Sequence, residues 1–181
     1  MAVKVTTPPA EEAITLEQAQ VHVKADPDDD NDGILERAIV AARERAEHEL
    51  GRPLLPQDAE ARFDCFERKL YLWEDVSQVK SVSYVDETGT TVALDQLSFY
   101  LTGARTLNIV GALPTAREVI VTFSCGAFDD PASVPYSIVE WMLLQIGAMH
   151  ENRSSVDSAQ AYELPGRFAD GLLDRYRFIA M

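Results

Sequence analysis

A chain of 181 residues with 46% hydrophobic content is long enough to build one cored domain with room for an insert. Its 30 acidic side chains outnumber the 16 basic ones and leave a net charge of −14, which argues against a nucleic-acid-binding face, because phosphate contacts need clustered Lys and Arg. The same acidity suits plain solubility, and also a surface past which DNA slides without sticking.

Residues 1–13 contain Pro8 and Pro9 among small polar residues and read as a loosely held N-terminal arm. Thr15 with Gln18 three positions on is a capping-box pattern, which predicts a short helix over 16–23 with Leu16, Ala19 and Val23 facing inward. The run DPDDDNDG at 26–33 holds five aspartates, and Asp28, Asp30, Asp32 and Gly33 copy the start of a calcium-binding EF-hand loop. The twelfth position of such a loop needs a bidentate Glu and is Ile39 here, so the run reads as an acidic turn whose last Asp caps the next helix. That helix is expected over 34–50. Leu35, Ala38, Ile39, Ala42, Ala46 and Leu50 form its apolar stripe, and charged residues including Arg43, Glu44, Arg45 and Glu47 cover the rest. Gly51 and Pro53 stop it.

From 60 to 127 the hydrophobic period changes to two. The runs ARFDCFE, KLYLW, VKSVSYV, TTVAL, SFYL, TLNIV and EVIVTFS are short, rich in β-branched and aromatic residues, and separated by turn residues. Asp86-Glu87-Thr88-Gly89 is expected to close a hairpin. No helix-length crossover interrupts the strands, so the expected sheet is antiparallel.

Residues 134–153 form the longest apolar segment. Ile138, Met142, Ile146 and Met149, with Trp141, Leu144 and Ala148, fall at helical spacing on a surface wider than one stripe, which predicts a helix buried on most sides. Glu140 and Gln145 interrupt it too soon for a membrane span. A polar loop over 154–160 and a last helix from 167 or 168 to about 178 follow, with Phe168, Leu172, Tyr176 and Ile179 on one face. The fold class these elements predict is α+β: a bundle of about four helices (the N-terminal pair, the long central helix, the C-terminal helix) with an inserted antiparallel β meander or small sandwich. The helical core would be 14–55 plus 131–181, and the β insert 60–127.

No nucleophile elbow, phosphate-binding loop, dinucleotide fingerprint or zinc-protease motif occurs. His22, His48 and His150 lie far apart in sequence, and His150 and Glu151, being consecutive, point about 100° apart on a helix. Cys65 and Cys125 sit in apolar runs without a CxxC, and no apolar secretory stretch opens the chain, so buried reduced thiols are expected. The expectation is a protein that is not an enzyme and has no cofactor and no metal.

Three blocks carry a resemblance: residues 14–54, a short helix, an acidic turn and an Ala- and Arg-rich helix ending in Gly-Arg; residues 134–156, an apolar helix ending in His-Glu-Asn-Arg; and residues 164–177, LPGRFADGLLDRYR. Their layout resembles the head-tail connector proteins of long-tailed bacteriophages and prophages, also called head-completion, adaptor or DNA-packaging proteins, and in particular larger members with a β insert. The resemblance implies a homo-oligomeric ring in the virion neck, possible as a monomer when free and made in the cytoplasm of a bacterial host. The ring would sit under the portal protein, extend the DNA channel and dock the next neck, stopper or tail-completion protein, with DNA passing by unbound. By position, Phe168, Leu172, Leu173, Arg175 and Tyr176 would meet the portal. Arg43, Arg45, Glu44 and Glu47 would offer inter-subunit edges, and Asp28, Asp29, Asp30, Asp86 and Glu87 would face the lumen or its rim. The alternative is a small binding module whose β insert recognises a protein or carbohydrate ligand.

Overall fold

The computed structural model describes residues 2–25, 32–151 and 171–178. The chain divides into two compact units: Met1–Ala10 with Leu55–Asp129, and Glu11–Leu54 with Asp130–Met181.

The first unit is all β. Its strands are β1 (Ala2–Thr7), β2 (Gln57–Phe63), β3 (Lys69–Tyr71), β4 (Val76–Val85), β5 (Thr91–Ala93), β6 (Phe99–Thr102), β7 (Thr106–Ile109) and β8 (Glu118–Cys125). They form a five-stranded sheet in the order β1-β2-β8-β4-β5 and a three-stranded sheet in the order β3-β7-β6. All pairings are antiparallel, as the sequence predicts. Strict alternation sets the faces. Val119, Val121, Phe123 and Cys125 of β8 are buried while Glu118, Ile120, Thr122 and Ser124 are only half-buried. The register puts Ala59 opposite Phe123 and Ala61 opposite Val121, so small residues of β2 make room for large ones of β8. Leu70 and Leu107, paired across β3 and β7, join the same apolar cluster, so one core serves both sheets.

The second unit holds α1 (Leu16–Val23), α2 (Asp32–Leu50) and α3 (Tyr136–Glu151). The capping box forms as read: Gln18 N–H donates to Thr15 Oγ1 at 3.2 Å and Thr15 N–H to Gln18 Oε1 at 2.9 Å. All six apolar stripe residues of α2 are buried. On α3, Ile138, Trp141, Met142 and Ile146 are buried, whereas Ala148 and Met149 are exposed, so burial is less complete than the spacing suggests. Arg45 of α2 lies over Trp141, and Ala38 shares a groove with Met149, so α2 and α3 run antiparallel.

The four-helix bundle with an inserted meander is not what forms. Among the described residues there are three α-helices and two antiparallel sheets of eight strands, a mixed α+β fold. The order of strands is not that of a meander either, because β8, the last strand in sequence, is central between β2 and β4. Residues 2–7, expected in a loose arm, are strand β1 on the edge of β2. At the C-terminus, residues 172–176 form turns, with Tyr176 N–H donating to Leu173 C=O, and Phe178 N–H donates at 2.8 Å to the C=O of Leu50, one of the unsatisfied carbonyls at the end of α2. The segment therefore closes α2 through its backbone instead of continuing as a helix. Residues 167–170 of the expected helix, the acidic turn through 31 and the loop 154–160 lie outside the described residues. Cys125 is buried, but Cys65 falls in the bend after β2 and is exposed, contrary to expectation.

Gly126 marks the tightest backbone approach in the β unit: a Cβ placed there would lie 2.8 Å from Leu55 C and Pro56 N. Replacing it by Ala should cost about 1–3 kcal/mol, because backbone on both sides must move. Gly33→Ala meets open space near the start of α2 and should instead stabilise by about 0.4–1 kcal/mol. Urea denaturation midpoints of the two variants read the opposite signs.

Candidate functional site

The helical unit contains a buried ion cluster. Arg43 and Glu47 are 3% and 5% exposed, although both are charged. Arg43 Nε donates to Glu12 Oε2 at 2.8 Å and to Oε1 at 3.1 Å, and Arg43 NH1 donates to Glu47 Oε2 at 3.0 Å. Glu47 Oε1 in turn accepts the N–H of Leu54 at 2.9 Å. The i,i+4 spacing on α2 brings Arg43 and Glu47 together, and the short stretch before α1 supplies Glu12. Such a cluster holds chain segments in place.

Away from the cluster, α2 borders an open groove of about 280 Å³, lined by its Ile34, Leu35, Ala38 and Ala41 and by Met149 of α3, with Arg37 and His150 also in the lining. Ile34 and Met149 are 37% and 38% exposed there, an apolar surface left to water. Further along α2, the Arg45 guanidinium lies 6.0 Å from the centroid of the buried Trp141 ring. On α1, Val21 is 74% exposed and shares its face with Glu17 four residues earlier.

The β unit offers two polar faces. On the five-stranded sheet, Asp58 bonds Lys80 Nζ at 2.6 Å and the Ser124 hydroxyl at 2.7 Å, while Arg62 joins Glu60 and Glu118. The hydrogen bond from Lys80, then that from Ser124, holds the Asp58 carboxyl below its ordinary value. Hydrogen bonds to Glu60, then to Glu118, raise the Arg62 guanidinium. On the three-stranded sheet, Tyr71 and Tyr100 are about half exposed on the outer face. In the β4–β5 turn, Asp86 accepts from the Thr88 hydroxyl and from the backbone N–H groups of Thr88 and Thr90, and these bonds, the hydroxyl's first, lower its pKa.

The residues singled out from the sequence are scattered among these features. Of Arg43, Glu44, Arg45 and Glu47, only Glu44 and Arg45 have exposed side chains; Arg43 and Glu47 are consumed inside their own unit. Leu173 is fully buried, Leu172 and Tyr176 are half-buried, and Arg175 is exposed with its guanidinium 5.9 Å from the Tyr176 ring. Phe168, Asp28, Asp29 and Asp30 lie outside the described residues, and Asp86 and Glu87 sit in the β4–β5 turn. The groove was not anticipated. Its signal was present in Ile34, Ala38, Ala41 and Met149, which belong to apolar surfaces wider than one neighbour can cover. No grouping of three or more His, Cys, Asp or Glu suited to a metal ion occurs among the described residues.

No protein-family model matches the chain, and no curated protein matches it. Solved structures do. A chain from the neck of an empty gene transfer agent (GTA) particle computed with C6 symmetry superposes with a TM-score of 0.78 at 18% identity, covering 100% of this chain and 97% of that chain. A chain from the virion of the native GTA particle gives 0.76 at 18% identity, and one from the neck of the native particle computed with C12 symmetry gives 0.74 at 16%, with the same coverage. The likeness establishes that the chain shares the fold of these particle proteins from end to end.

Two outcomes follow from the electrostatics. Glu47→Ala leaves the buried guanidinium short of a partner and the Leu54 N–H unsatisfied, and should cost about 3 kcal/mol in chemical denaturation, whereas Glu44→Ala on the exposed side should stay within about 0.5 kcal/mol. Asp58 has a depressed folded pKa, so its contribution is fully present above the ordinary value of 3.8 and is lost as pH falls through the lower folded value. Asp58→Asn should therefore flatten the acid limb of the stability profile by less than about 1 kcal/mol, the pair being partly exposed, as read from urea midpoints at about pH 3 and pH 6.

Proposed function

We propose that this chain is a non-enzymatic structural protein of a phage-like particle neck. In this reading it forms a closed homo-oligomeric ring under the portal protein, extends the DNA channel, and docks the next neck, stopper or tail-completion protein. The observation that carries the reading is the whole-length fold likeness to chains of GTA particle necks, whose particles were computed with C6 and C12 symmetry. The order of helical blocks in the sequence supports it independently.

The surfaces can be assigned roles on this reading. Leu172, Arg175 and Tyr176, with Phe168, are the portal-facing candidates, and Leu173 anchors them from the core. Glu44 and Arg45 are candidate inter-subunit edges. Asp86 and Glu87, together with Asp28, Asp29 and Asp30, are candidate acidic groups at the lumen or rim, where like charge keeps phosphate from adhering within a Debye length of about 8 Å. The reading as a ligand-binding module draws on one observation, the exposed Tyr71 and Tyr100 on the outer face of the three-stranded sheet.

Mixing the purified chain with portal rings and imaging the product should show a closed ring of this protein stacked on one end of the portal. In the same preparation, double-stranded DNA at about 50 mM salt should remain unbound in a filter assay. Failure to form any ring, with or without portal, or tight DNA binding by the free chain, overturns the reading.

A further inference from the structure

We infer that the groove between α2 and α3 is the seat for the exposed face of α1 from a second copy of this chain, and that this head-to-tail contact is the one that propagates the ring. The inference deepens the proposed function and rests on it.

The groove is apolar at its base, through Ile34, Ala38, Ala41 and Met149, and its lining on α2 includes two alanines, which let another helix approach closely. Arg37 stands at its margin. The face that fits is on the same chain. Val21 projects from α1 with 74% of its surface in water, and Glu17 lies one turn before it, exposed. Val21 supplies the apolar knob and Glu17 a carboxylate for Arg37, so the two surfaces are complementary in both polarity and charge.

The two surfaces are separate patches of the chain. His22 Nε2 lies 3.5 Å from the position a Cβ on Gly147 would occupy, so the end of α1 packs on the Gly147 side of α3. Met149 and His150, which line the groove, follow two and three residues on, so the groove borders this part of α3. No residue of α1 lines the groove, so each copy presents a groove that its own α1 face does not fill. Such a contact is heterologous: repeated with a rotation that closes, it makes a ring. One helix face in a groove of about 280 Å³ is a small contact, of the weak class that needs the assembled particle to hold it.

Cysteine trapping tests the contact in the full chain. V21C and A41C are combined in a C65S background, which removes the exposed native thiol. Under mild oxidation the double variant should give a ladder of covalent multimers on a non-reducing gel, while a mixture of the two single variants should stop at a V21C–A41C heterodimer. E17R or R37E, added singly, should reduce the heterodimer yield at least fivefold, and the swapped pair should restore it. Heterodimer yield no greater than that of the two homodimers, or insensitivity to both charge reversals, overturns the inference. Rings that form with portal while V21C and A41C fail to cross-link overturn this contact and leave the ring reading standing. A ladder that forms without ever closing supports the contact and removes the ring reading.

Discussion

Arg43 is the residue on which the helical unit turns. A guanidinium with almost no access to water must be given partners or it costs several kcal/mol, and among the described residues Glu12 and Glu47 bond it. Glu12 comes two residues after Ala10, where the first segment of the β unit ends, and Glu47 spends its other oxygen on the N–H of Leu54, the last residue before the chain enters the β unit again. One cation thus ties to α2 the chain near two of the three points where it passes between the units. Buried ion pairs add little net stability compared with apolar replacements; their value is that any other arrangement leaves a charge uncompensated. A slipped α2, or a misplaced 11–14 segment, would strand Arg43. The cluster therefore specifies the path of the chain more than it strengthens it.

The β unit obeys a different constraint. Its strands are set by alternation, and β8 alternates without a fault from Glu118 to Cys125 because it is paired on both sides. The bulges in β4, between Val76 and Gln78 and between Val79 and Ser81, let that strand bend against β8. The hairpin at Asp86 is built locally, with the carboxylate and Gly89 at a φ of +86° forming the turn. Central pairing, by contrast, is non-local: β2 and β8 are joined across most of the unit's sequence.

That difference explains what could be read from the sequence. The capping box at Thr15, the stripe of α2, the stop at Gly51 and seven of the eight strands are local signals, and they were legible. Strand order was not, since period-two spacing names a strand's face and not its neighbour. β1 carries Val3 and Val5 in alternation, but two prolines follow it, and an edge strand needs too little apolar content to declare itself. Arg43 reads as a surface residue because it is charged. Its spacing was in fact that of the core, four residues after Ile39 and three before Ala46, while its partner Glu12 lies 31 residues away, where no periodicity reaches. The C-terminal segment had helical spacing too, yet Leu173 is anchored in the core and Phe178 is committed to the carbonyl of Leu50, which turns favour more than a continued helix.

In the proposed ring, the pairing of the cations bears on how the surface would meet DNA. Of the 16 basic residues, Arg43, Arg62, Lys80, Arg105 and Arg177 are paired with carboxylates of this same chain. Those pairs cannot be lent to phosphates without leaving Glu12, Glu60, Asp58, Glu74 or Glu49 to repel the same strand. The excess of 14 negative charges is thus not offset locally by a free basic track on those faces. Screening confines the repulsion to about 8 Å at physiological ionic strength, so it would act only on a duplex close to the wall. Such a wall would border the DNA passage of the proposed ring, with the groove and the exposed helix face left for protein. In the proposed ring, charge would govern what slides and shape would govern what stays.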